Sequence, residues 1–78
     1  RRKAMFDFHF VYSDGNFYYF KGVDKIVIQT ASNLKEIVGE SILATPLPLK
    51  TMYLYTSDGC FTVSGTNLMV IDVVKQEN

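Results

Sequence analysis

The sequence holds one histidine and one cysteine, so few of its side chains suit acid–base, nucleophilic or metal chemistry. His9 has Asp7 two positions before it, and strand spacing puts their roots on one face, about 6–7 Å apart. Such a pair could serve as a general base or a pH-sensitive contact. The preferred reading is plainer: a solvated polar face opposite Phe6, Phe8 and Phe10. Cys60 follows a turn beside Asp58, without the helix N-terminus or cationic neighbours that make a thiolate reactive; it reads as a small packing residue. Asp14 and Asp58 sit in matching Ser-Asp-Gly turns, which explain them without catalysis. Gly22, Gly39, Gly59 and Gly65 form no phosphate-cradling fingerprint. One cysteine excludes an internal disulfide or a multi-cysteine zinc site. No catalytic residue, metal ligand or cofactor is assigned, and the chain is expected not to be an enzyme.

Its aromatic chemistry is more distinctive. Phe17-Tyr18-Tyr19-Phe20 is an unbroken run of four rings, and on a strand Phe17 and Tyr19 face one way, Tyr18 and Phe20 the other. One pair can enter a core; the second needs a helix, a neighbouring sheet or a partner to cover it. Tyrosine is enriched at protein interfaces, where it brings large area at low entropy cost. Tyr18, Tyr53 and Tyr55 are candidates for one such patch, and Phe17, Tyr18, Tyr19, Phe20, Tyr53 and Tyr55 form the candidate binding set. Single-stranded nucleic-acid binders also stack bases on exposed rings within a basic groove. Lys21 and Lys25 lie nearby in sequence, and Lys50 is a third candidate cation. The aromatic signature of the common RNA-binding sheet is absent, however, and eight basic against eight acidic residues give little steering field. Protein binding is therefore the leading reading and single-stranded nucleic acid the alternative.

The elements that must position these rings are mostly strands. Val, Ile, Phe, Tyr and Thr make up 30 of the 78 residues, the types that suit a pleated, half-buried surface. Alternation predicts strands over Met5–Tyr12, Phe17–Lys21, Lys25–Thr30, Thr51–Thr56, Cys60–Ser64 and Leu68–Lys75. The last is apolar on both faces for most of its length, so it belongs in a sheet interior or under a partner. Leu34, Ile37, Val38 and Ile42 follow helical spacing, and Asn33 with Glu36 has the form of a capping box. They predict a short helix from Asn33 to Leu43 that covers one sheet face, before Pro46 and Pro48 force an extended connection.

The two β regions also resemble each other. Tyr12-Ser13-Asp14-Gly15-Asn16-Phe17 parallels Thr56-Ser57-Asp58-Gly59-Cys60-Phe61, and Ile26-Val27-Ile28 parallels Met69-Val70-Ile71. The expected fold is strand-dominated α+β: six antiparallel strands as two three-stranded meanders, a pseudo-repeat joined by one short helix. A small all-β barrel or sandwich is the alternative. Residues 1–4 read as an appended leader or the end of a preceding region, 5–75 as one small domain and 76–78 as a frayed polar tail. No apolar run reaches membrane-span length, and a cytoplasmic protein is expected. A domain this small has a marginal core and no disulfide or metal staple, so self-association or a protein partner is expected as well.

Overall fold

The computed structural model describes residues 3–77. Arg1 and Arg2 of the basic leader, and Asn78 of the polar tail, lie outside the described residues. Seven strands and one helical turn follow in the order β1 (Phe6–Tyr12), β2 (Phe17–Val23), β3 (Lys25–Gln29), β4 (Leu34–Val38), α1 (Ser41–Ala44), β5 (Met52–Thr56), β6 (Gly59–Val63) and β7 (Leu68–Lys75). They form two antiparallel sheets, one ordered β2-β1-β7 and the other β4-β3-β5-β6. The fold is thus strand-dominated, as expected, and neither sheet closes into a barrel.

One hydrophobic core lies between the sheets. β1 alternates buried and half-buried residues along its whole length, sending Phe6, Phe8, Phe10 and Tyr12 inward to meet Ile26, Ile28, Met52 and Leu54 of the second sheet. Phe8 and Phe10 stack at 5.8 Å between ring centroids. The period-2 pattern of β1 is so regular because the strand is central in its sheet, with a ladder on each side.

The expected helix from Asn33 to Leu43 is not there. Residues 34–38 form β4, paired in register with β3 from Gln29–Leu34 to Lys25–Val38. Only Ser41–Ala44 is helical. A short segment with β-branched Ile37 and Val38 has little to gain as a helix, whereas pairing satisfies its main chain and that of β3 together. Asn33 does not cap a helix; its carbonyl accepts from the Thr30 N–H at 2.7 Å and closes the β3–β4 turn. Ile37 enters the core while Leu34 and Val38 stay exposed, so the helical spacing of these residues was incidental.

Strand connectivity corrects the two meanders as well. β1–β2 and β5–β6 are the expected hairpins, but β3 leaves β2 to pair with β5, and β7 leaves β6 to pair with β1. Each third strand joins the opposite sheet. The two hairpins also differ: in the first, the Gly15 N–H donates to the Tyr12 carbonyl at 3.0 Å and the Tyr12 N–H to the Asn16 carbonyl at 2.9 Å. This three-residue loop needs a left-handed residue at its end, and Gly15 supplies it with φ 91°. The second hairpin pairs Thr56 with Gly59 across only Ser57 and Asp58. Gly65 matters for a different reason, because a Cβ there would lie 2.4 Å from the Lys50 carbonyl carbon and the Thr51 nitrogen.

β7, expected inside a sheet or under a partner, is an edge strand. Gln76 is not frayed, since its N–H donates to the Met5 carbonyl at 2.9 Å and its side chain to Asp7 at 2.8 Å.

Candidate functional site

The outer face of the first sheet is built from alternate residues of three strands. β1 contributes Asp7, His9 and Val11; cross-strand register places Tyr19 and Phe17 of β2 beside His9 and Val11. On the other side, Val74, Asp72 and Val70 of β7 lie beside the same three residues. His9 stands at the centre, edge-on to Phe17 and Tyr19 with ring centroids 5.8 and 6.0 Å away. Its carboxylate neighbour is Asp72, at 3.8 Å, and not Asp7. The Asp7 carboxylate instead accepts from the Gly22 N–H and the Gln76 amide, which holds the irregular end of β1 against both neighbours.

No described element lies over this face. Phe17 is 65% exposed, Tyr19 55% and Val74 62%, with Met69 and Val70 also exposed beside them. Met69 is the extra residue where the β1–β7 register shifts. Lys21 reaches over the Tyr19 ring at 5.8 Å.

The inward pair of the aromatic run has a different setting. Tyr18 meets Tyr12 edge-on at 5.7 Å, and Phe20 lies between Phe10 and Phe61 at 5.9 and 5.5 Å. Phe20 is half-buried, but Tyr18 is still 52% exposed, because it lines the open seam between edge strands β2 and β6. The seam holds a cavity of about 440 Å³ walled by Tyr12, Tyr18, Phe20, Thr62 and Ser64, with Asp14 at its margin. The Tyr12 hydroxyl crosses it to donate to the Ser64 carbonyl at 2.6 Å. Burial raises the Tyr12 phenol above its ordinary 10.0, and the neighbouring Tyr18 and Asp14 charges add to this.

Tyr53 and Tyr55 are on a third surface, the outer face of the second sheet, and both are half-buried. β5 runs between β3 and β6, so neighbours flank each ring. The Lys25 ammonium sits 4.2 Å from the Tyr55 ring centre and 3.6 Å from Glu36. Tyr55 is paired across the strands with Cys60, which is exposed and not a core packing residue. The neighbouring Cys60 is the main influence raising the Tyr55 phenol, through its side-chain contact and then its charge.

The six candidate rings are therefore divided. Phe17 and Tyr19 come together, Tyr18 and Phe20 line the seam, and Tyr53 and Tyr55 stand apart from both, so Tyr18 shares no patch with them. Lys25 is likewise committed to the second sheet, away from the β2 rings. Sequence reasoning missed Val70, Val74 and Asp72 as partners of that surface, although the two-sided apolar pattern of β7 was the signal. No described helix is long and apolar enough to cross a membrane. Compared with known protein families, curated proteins and solved structures, the chain matches none.

Proposed function

We propose that the chain is a non-catalytic interaction module whose uncovered aromatic face, on the β2-β1-β7 sheet, binds a second copy of itself. The carrying observation is that Phe17 and Tyr19 are each more than half exposed on a face that no described element covers. Together with Met69, Val70 and Val74 they offer roughly 500 Å² of apolar surface, and His9, Val11 and Asp72 bring the patch to roughly 700 Å². A specific interface buries about 800 Å² per partner, so the face is close to the size of a small specific interface. The two-sided apolarity of edge strand β7 fits a face covered by a second copy, since β7 has no place in a sheet interior.

Stacking of single-stranded nucleic acid on β2 has less support, because among the described residues Lys21 is the one lysine placed on those rings. Sedimentation equilibrium across a concentration series tests the proposal. The expected result is a monomer–dimer equilibrium that Tyr19→Ser with Val74→Ser abolishes; a constant monomer mass to millimolar concentration would remove the reading.

The same proposal includes an internal repeat with exchanged third strands. Support comes from strand order, in which β2-β1-β7 corresponds to β6-β5-β3 with β4 appended. Exchanging the exposed matched residues Asn16 and Cys60 should keep the fold, and a chain unfolded by this exchange would argue against it.

A further inference from the structure

The two sheets meet along two seams, and the chain closes only one. Between β7 and β4 it lays down α1 and the extended segment 45–50, leaving a cavity of about 290 Å³ lined by Ile42, Leu47, Ile71 and Val73. Between β2 and β6 no described segment lies, and the two edges are not hydrogen-bonded to each other. We infer that this open seam accepts an extended peptide segment carrying a basic side chain, added as a strand between β2 and β6. The site is distinct from the self-association face, because side chains on opposite sides of β2 build the two, and Phe17, Tyr19 and Lys21 lend only main-chain groups to the seam.

Main-chain geometry supplies the first argument. Antiparallel ladders alternate between hydrogen-bonded and non-bonded pairs. The Tyr12 N–H bonds to Asn16, so the bonded pairs that follow are Phe10–Tyr18 and Phe8–Phe20. Phe17, Tyr19 and Lys21 then turn their N–H and C=O groups to the free edge. In the second hairpin the pair closing the two-residue loop, Thr56–Gly59, is a bonded one. Leu54–Phe61 and Met52–Val63 follow, leaving Cys60, Thr62 and Ser64 directed outward. Ser64 bears this out, for its carbonyl accepts the Tyr12 hydroxyl across the seam. Unpaired edges of this kind template an added strand.

Volume and charge supply the second. A cavity of about 440 Å³ is in the size range of ligand sites and has room for a few residues. Its lining combines the Tyr18 and Phe20 rings of β2 with the hydroxyl-bearing residues Thr62, Ser64 and Thr66. Among the described residues, Asp14 is its only charged one. Asp14 accepts from the Asn16 N–H and side-chain amide at 2.9 and 3.1 Å and forms no ion pair among the described residues. An incoming lysine or arginine would balance it.

The probe is the octapeptide acetyl-Thr-Val-Lys-Val-Thr-Val-Lys-Thr-amide, titrated into isotope-labelled protein at a concentration where the chain is monomeric. Saturable amide shifts are expected at Tyr19, Lys21, Cys60 and Thr62. Asp14→Asn should weaken binding about fivefold, in line with one partly exposed charge pair. Thr62→Pro removes a seam donor without touching the β5 ladder and should weaken binding about tenfold or more. N-methylating the peptide at alternate residues makes the same test without altering the protein. No saturation at several millimolar, equal binding of a peptide with Glu for Lys, or indifference to N-methylation would each overturn the inference. Loss of self-association alone would leave this titration intact.

Discussion

β2 and β5 each carry paired tyrosines or phenylalanines on an outward face, yet the rings have different fates. On β5, Tyr53 and Tyr55 are half-buried, held between β3 and β6 and covered in part by Lys25. On β2, Phe17 and Tyr19 have a strand on one side only and remain more than half exposed. The residue types are nearly the same; position in the sheet order is what differs. An interior strand buries its outward rings against cross-strand neighbours, whereas an edge strand leaves them exposed. The exposure of a ring thus follows from topology more than from composition.

The severest way to break the comparison is to remove the floor under both faces. Phe8→Ala should cost about 3–5 kcal/mol, enough to unfold a small domain, and urea denaturation would show both surfaces lost together. Next in size is a matched pair of double variants. Tyr53→Ser with Tyr55→Ser should destabilise the fold by about 2 kcal/mol and leave self-association intact. Phe17→Ser with Tyr19→Ser should cost less than about 1 kcal/mol while eliminating it. Stability and sedimentation measured on both variants would separate a ring that packs from a ring that binds; equal effects would erase the distinction.

Tyr12 sharpens the comparison from the seam, where it ties the two sheets. Tyr12→Phe removes its bond to Ser64 and should cost about 1 kcal/mol at neutral pH. Its phenol is raised above 10.0 in the folded protein, so the unfolded chain releases that proton more readily. The corresponding stability is complete below pH 10 and is lost as pH rises through the folded value. Urea midpoints measured from pH 8 upward should fall with alkalinity in the wild type and fall less in Tyr12→Phe. Smallest is Lys25→Ala, which removes the cation above Tyr55 and should cost about 0.5 kcal/mol, read as a small shift in melting temperature.

Six of the seven strands were legible, because alternation in β1 and the Ser-Asp-Gly turns are local signals. β4 was not, since Leu34, Ile37 and Val38 fit a helical face by spacing and only the ladder with β3 decides the matter. Pairing across the molecule was hidden too. Nothing near Gly22 or Gly65 announces that the next strand will cross to the other sheet, because that choice depends on which edge offers a core. The aromatic run was visible as the main candidate for a binding surface. What it faces was not, since Val70 and Val74 approach Phe17 and Tyr19 only through β7 pairing with β1.

Tyrosine-selective labelling across a concentration series, read residue by residue, tests the edge-strand surface most directly. Tyr19 should label readily at low concentration and become protected as the chain associates, while Tyr55 keeps the same reactivity throughout. Unchanged reactivity of Tyr19 at every concentration would contradict the account.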